Sequence, residues 1–177
     1  TALSGRLHEQ GRRLSCTVEP RTSDLPPRGV GGKMASPWAN DFRVLDKVCD
    51  QVRIMAYDRW SIDAAGRNNT GPRLPSHAGR KWVEEVVKYS VSRIDRKKLY
   101  LGVATYGWEF EERKRNSRSL YRRVRARSYT DLADRLGAGK ANGARRPGGE
   151  LQVRNGNRLV VMPDAQTIGI RLPSATA

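Results

Sequence analysis

The stretch VRIMAYDRW, Val52 to Trp60, begins as a buried strand and ends as a cluster of chemically active side chains. Val52, Ile54 and Met55 have the apolar character of a strand packed inside a fold. Tyr57, Asp58, Arg59 and Trp60 then follow without a break. A carboxylate beside aromatic rings at a strand end marks a place where a fold could present a site.

Before this strand, WANDFRVLDKVCDQ carries Phe42, Leu45, Val48 and Cys49 at helical spacing, which predicts a helix feeding straight into it. Earlier still, Leu14, Cys16 and Val18 alternate with Ser15, Thr17 and Glu19, a strand that Pro20 stops. A short helical segment over 1–10 precedes it. Residues 21–37 read as loop from their Pro, Gly and Ser content. Beyond Trp60, residues 61–76 read as a second long loop. Ser76 is then the expected N-cap of a helix reaching about Ser92, with Trp82, Val83, Val86, Val87 and Tyr89 on its apolar face. LYLGVATYGWEF, 99–110, is expected to form a third strand, again ending in aromatics and a carboxylate.

Strands alternating with helices at this spacing imply parallel βαβ units. The loops after strands are long and those after helices short, the asymmetry of a (β/α) barrel whose active face is built from the loops after the strands. The expected fold class is therefore α/β, a partial (β/α)8 TIM barrel. An open doubly wound sheet fits the same order, but no Gly-rich phosphate loop follows any strand. GVGG at Gly29–Gly32 lacks the GxGxxG order and opens no helix.

The rest of the chain is less regular. RKRNSRSLYRRVRAR, Arg113 to Arg127, reads as a solvated, mobile basic loop; Tyr121 inside it leaves open a patch for an anionic polymer such as nucleic acid. SYTDLADRLGAG reads as a short helix capped by Ser128 or Thr130 and stopped by Gly137. ELQVRNGNRLVVMPD reads as a hairpin turning at Asn155-Gly156. The expected organisation is one partial barrel domain over 1–177, with a basic loop at 113–127 and a helix-plus-hairpin segment at 128–165.

Composition narrows the class. Of 177 residues, 37% are hydrophobic and 7% aromatic, which implies a thin core. The formal net charge of +16 points to anionic surroundings or to a solvated basic surface. Cys16 and Cys49 form no CxxC and sit near no histidine pair, so a zinc site is not expected. Their apolar neighbours favour buried free thiols over a disulfide. No stretch reaches the roughly 18 apolar residues needed to span a membrane. The chain shows no signal peptide and opens on Thr1, the look of a processed or truncated product.

In a parallel barrel the C-terminal strand ends share one pocket. That places Glu19, Tyr57 with Asp58, and Tyr106 with Trp108 and Glu109 around a single rim. Aromatic rings stack on the apolar faces of pyranose rings, and carboxylates accept bonds from hydroxyls and amides, so this rim suits sugars.

DKVCDQVRIMAYDRW resembles the sixth-strand region of glycoside hydrolase family 18, the chitinase-like barrels, with its Met-(Ala/Thr)-Tyr-Asp strand end. GPRLPSHAGRKWVEEVVKYSVSRIDRKKLYLGVATYGWEF is similar to the family's next segment: a Gly-Pro loop, a Trp-Val helix, a lysine before the seventh strand, then Leu-Gly-x-x-x-Tyr-Gly. LHEQGRRLSCTVEP is similar to the fifth strand, and NRLVVMPDAQT to the segment leading toward the last helix and strand. The resemblance spans about Leu7 to Thr167 and is nearest the spore-cortex and cell-wall branch.

The resemblance implies substrate-assisted hydrolysis of β-linked N-acetylglucosamine polymers, chitin or peptidoglycan, outside the cell or in its envelope, with no cofactor or metal. It implies that Tyr57 donates to the substrate's N-acetyl carbonyl and Asp58 bonds sugar or amide groups. Met55 would pack beneath, and Tyr106 would line the neighbouring wall. The family's acid lies at the end of a DxxDxDxE motif, and that motif is absent from this sequence. Only strands five to seven are matched. The expectation is therefore a fragment or reduced member that binds glycan and is not a competent hydrolase alone. The rest of the barrel would come from the same or another chain. Glu19 and Glu109 are the local candidates for an acid, through a pKa raised by burial. The rival reading is a basic cell-wall or nucleic-acid-associated interaction protein with no enzymatic activity.

Overall fold

The computed structural model describes residues 2–25, 40–59, 70–71, 76–115, 118–136, 144–145 and 149–169. In chain order the elements are α1 (Ala2–Glu9), β1 (Ser15–Val18), α2 (Phe42–Val48), β2 (Gln51–Met55), β3 (Thr70–Gly71) and α3 (Arg80–Val91). They continue with β4 (Leu99–Gly102), β5 (Tyr106–Arg115), β6 (Arg118–Ser128), α4 (Tyr129–Leu136), β7 (Ala144–Arg145), β8 (Leu151–Asn155) and β9 (Arg158–Met162).

Two sheets result. The first is parallel, in the order β1-β2-β4, with Ser15 opposite Gln51 and Val52 opposite Leu99. Its neighbouring strands are joined through α2 and α3, as parallel pairing requires. Val52 and Ile54 on the central strand are fully buried against Trp82, Val83, Val86 and Val87 of α3. These four recur on one helical face, and burying each contributes about 1.5–3 kcal/mol. The Asp41 carboxylate caps α2 by accepting the Arg43 N–H at 2.9 Å. The Asp50 carboxylate ties α1 to the sheet, bonding His8 at 2.8 Å and the Leu14 N–H at 2.7 Å.

Several expectations are corrected. The N-cap of α3 is Gly79, not Ser76. The Ser76 hydroxyl donates to the buried Glu150 carboxylate at 2.8 Å, and the Ala78 N–H donates to its other oxygen at 2.7 Å. Ser76 thus fastens the start of α3 to the second sheet. The cysteines are not free thiols: Cys16 and Cys49 form a disulfide with Cα atoms 6.1 Å apart. Parallel pairing of β1 with β2 brings the end of α2 beside β1, a juxtaposition that spacing along the chain does not reveal.

The third strand also ends sooner than expected. β4 stops at Gly102, and Tyr106–Arg115 belongs to the second sheet, antiparallel and ordered β3-β6-β5-β9-β8-β7. The basic run 113–127, expected as a loop, forms most of the long β5–β6 hairpin. The physical reason lies across the hairpin. Glu109, Glu111 and Glu112 of β5 stand opposite Arg125, Arg122 and Tyr121 of β6. Glutamates outside the run offset the repulsion within it, and strand pairing survives.

The β8–β9 hairpin forms as expected, but its turn residues are Gly156-Asn157. Asn155 pairs with Arg158, and Gly156 takes φ +58°. The Ser128 hydroxyl accepts the Asp131 N–H at 3.0 Å, as a cap of α4 should. Leu132 of α4 packs with Leu151, Val153, Val160 and Met162. On the other side of the sheet, Phe110, Leu159 and Val161 cluster with Trp108 and Tyr121. Gly29–Gly32 and Gly137 lie outside the described residues.

Candidate functional site

The site is built from the end of β2 outward. The Ala56 N–H bonds the Ile54 carbonyl at 3.0 Å and the Tyr57 N–H bonds that of Met55 at 2.8 Å, so the chain turns tightly as it leaves the strand. Asp58 follows at φ +57°, the one non-glycine residue in the left-handed region among those described. For a residue with a Cβ that conformation costs about 1–3 kcal/mol and needs support from its surroundings.

His77 supplies much of that support. Its ring is buried (1% exposed), and Nδ1 accepts the Asp58 N–H at 3.4 Å. Nε2 lies 3.4 Å from Asp58 Oδ1. A ring accepting at Nδ1 carries its proton on Nε2, facing the carboxylate. The His77 carbonyl also accepts the Arg59 N–H at 3.0 Å.

The Asp58 carboxylate then reaches across to the second sheet. The Tyr106 hydroxyl donates to Oδ2 at 2.5 Å, and the Trp108 indole N–H donates to Oδ1 at 2.7 Å. Bonds to an ionised acceptor are the strong kind and fix both rings. Burial foremost, and then the Asp58 carboxylate, push the Tyr106 pKa far above the ordinary phenol range, so this hydroxyl stays a donor.

The rings stand edge to face. Tyr106 and Trp108 centroids are 5.8 Å apart at 86°, and Tyr57 and Tyr106 are 6.3 Å apart at 77°. His77 meets Tyr106 at 5.1 Å. The Arg123 guanidinium lies over the Trp108 ring at 4.3 Å, within cation–π range. On β4, Gly102 leaves room for Tyr57: a Cβ there would stand 3.0 Å from the Ile54 carbonyl oxygen and 3.4 Å from the Tyr57 ring.

Four of the sequence-predicted residues, Tyr57, Asp58, Tyr106 and Trp108, therefore meet, although they come from two sheets and not from one barrel rim. Met55 is half-buried at the end of β2, opposite Gly102. Glu19 is exposed just past β1, and none of the described contacts joins it to the cluster. Glu109 is mid-strand in β5, one position from Trp108 and hence on the opposite face. Its buried carboxylate bonds Arg127 Nε at 2.6 Å and Arg125 Nε at 3.2 Å. Burial alone would raise the Glu109 pKa, but the two arginines outweigh it and hold it below the usual range. That is opposite to the shift expected of a general acid.

Sequence reasoning missed His77 and Arg123. A lone histidine at a loop end has no pattern to betray it, and Arg123 is one arginine among many until the hairpin register sets it beside Trp108. Among the described residues no group of three His, Cys, Asp or Glu side chains is placed to hold a metal ion.

No family model matches the sequence, and no curated protein matches it either. Solved structures do. A class V chitinase from Pseudomonas fluorescens superposes with a TM-score of 0.68 at 18% identity, over 99% of this chain and 52% of its own. A class V chitinase variant from Nicotiana tobaccum, solved in complex with NAG4, gives 0.67 at 16%, over 99% of this chain and 52% of its own. The spore cortex-lytic enzyme SleL from Bacillus megaterium gives 0.65 at 18%, over 99% of this chain and 37% of its own. The chain spans about half the length of these structures or less. The fold is thus that of part of a family-18-like TIM-barrel protein. The described residues hold parallel strands β1, β2 and β4 of such a barrel together with the antiparallel sheet, and no closed barrel.

Proposed function

We propose that the cluster of Tyr57, Asp58, Tyr106 and Trp108 is the wall of a site for β-linked N-acetylglucosamine polymers, chitin or peptidoglycan glycan. One observation carries the reading: Asp58 holds two partly exposed aromatic side chains of the second sheet beside Tyr57 at the end of a parallel strand. Such rings offer flat apolar faces to pyranose rings, and the Tyr57 hydroxyl can donate to a sugar hydroxyl or amide carbonyl. The Nicotiana chitinase complex with NAG4 supports the choice of glycan by likeness of fold.

In this reading the 177 residues bind glycan and do not hydrolyse it by themselves, because they contain no DxxDxDxE motif and Glu109 is committed to arginines. The disulfide favours an oxidising location, outside the cell or in its envelope. No helix among the described residues is long and apolar enough to cross a membrane.

The test is a calorimetric titration with N-acetylglucosamine hexamer. Wild type should bind, with Trp108→Ala and Tyr57→Phe weakening it about tenfold or more, as the loss of a stacked aromatic or a substrate hydrogen bond predicts. Equal binding by wild type and both variants would sink the reading.

A further inference from the structure

The face of the second sheet that carries Glu109 is distinct from the face carrying Trp108, and its chemistry is different. Glu111 stands between Arg122 of β6 and Arg158 of β9, and Glu109 stands opposite Arg125. Glu109 engages Arg125 at 3.2 Å, Arg127 at 2.5 Å and Arg158 at 3.8 Å. Glu111 engages Arg122 at 2.7 Å and Arg113 at 3.1 Å.

Five guanidinium groups therefore share two carboxylates. The carboxylates are sunk into the sheet at 8% and 14% exposed, while Arg113, Arg122, Arg125 and Arg158 are 41–62% exposed. The acids act as anchors beneath a layer of cations that keeps a surplus of positive charge. Each anchored guanidinium has five N–H donors in a fixed fork, more than its glutamate partner uses. Oriented, preorganised guanidinium forks at strand spacing suit the oxygens of repeated phosphate groups.

We propose that this face binds a phosphodiester polymer of the cell wall, of the poly(glycerol phosphate) kind, independently of the aromatic cluster. Nucleic acid fits the face less well. Trp108 and Tyr121 lie with Phe110 on the other side of the sheet, so the arginine layer has no ring of theirs on which to stack bases. The Cys16–Cys49 disulfide also favours an oxidising compartment.

The experiment measures binding of synthetic poly(glycerol phosphate), with single-stranded DNA of similar phosphate number as comparator, at 50 and 200 mM salt. With about four guanidiniums engaged, affinity should fall about fifty-fold over that range. Arg113→Gln with Arg122→Gln should reduce the salt effect to about sevenfold. Lysine at the same two positions should retain most of the salt effect, which separates charge from misfolding. Lys88→Gln, on the exposed side of α3, should change nothing. Binding of the N-acetylglucosamine hexamer should be untouched by any of these changes, so failure here and failure of the sugar reading are distinguishable. Salt-insensitive binding, no response to the glutamine pair, or DNA bound at least tenfold tighter than the wall polymer would each overturn the proposal.

Discussion

The indole N–H of Trp108 donates to Asp58 Oδ1 at 2.7 Å, joining residues from two different sheets across 50 positions of sequence. The partner oxygen of the same carboxylate takes the Tyr106 hydroxyl. Asp58 is therefore first an organiser of the aromatic wall, and any contact it makes to sugar under the proposed function comes second to that.

Asp58→Asn tests that ordering. The amide keeps one acceptor but turns N–H groups toward a donor that has lost its partner, a loss of about 2 kcal/mol. The melting temperature should fall by several degrees, Trp108 emission should shift, and hexamer affinity should drop about tenfold or more. Unchanged tryptophan emission would mean that the indole is not held by this carboxylate.

Gly107 lies in β5 between the two site aromatics, where the backbone of β9 passes close. A Cβ at that position would stand 2.5 Å from the Val161 carbonyl oxygen and 2.9 Å from the Met162 Cα. Neither is the movable end of a side chain. Gly107→Ala should cost about 3 kcal/mol, the upper part of the usual overpacking range. Denaturant unfolding checks this, and a cost under about 1 kcal/mol would mean that β5 and β9 are farther apart.

The Cys16–Cys49 disulfide closes a loop across 33 positions. Constraint of the unfolded chain by a loop of that size is worth about 3–4 kcal/mol. Reductant, or the pair Cys16→Ser with Cys49→Ser, should lower the urea midpoint accordingly. If reductant leaves the midpoint unmoved while free-thiol titration shows the bond broken, the link contributes nothing to stability.

Stability should also fall in acid through Glu112. Bonds from Ser119, Arg154 and Tyr121 lower its pKa from 4.5 to about 2. The unfolded state thus takes up the proton first, so the stabilisation is fully present above pH 4.5 and is lost progressively toward pH 2. Glu112→Gln should flatten the melting-temperature profile in that window. A variant profile that still parallels wild type there would assign the acid sensitivity to other carboxylates.

Much of the parallel half was legible in the sequence because its signals are local. The apolar faces of α2 and α3 repeat at helical period, and β1 and β2 have short apolar cores between clear stops. The position of Tyr57 and Asp58 just past the end of β2 was legible for the same reason. The second sheet was not. Its hairpin looks like a repulsive arginine loop until Glu109, Glu111 and Glu112 are set opposite Arg125, Arg122 and Tyr121, and register is not written in either strand alone. The break of the supposed third strand at Gly102 was hidden by the apolar run on either side of it. His77 stayed invisible because its role depends on where a distant loop comes to rest.

The left-handed backbone at Asp58 also governs how this position can change over generations. Glycine would relax the φ of +57° but remove the carboxylate that holds Tyr106 and Trp108. Asparagine tolerates that φ but surrenders the charge, and glutamate restores the charge on a longer arm without the local aptitude for the turn. Every single-step replacement thus gives up either the conformation or the anchor. Replacement at Asp58 is thereby coupled to His77, Tyr106 and Trp108, the three side chains that its backbone and carboxylate engage.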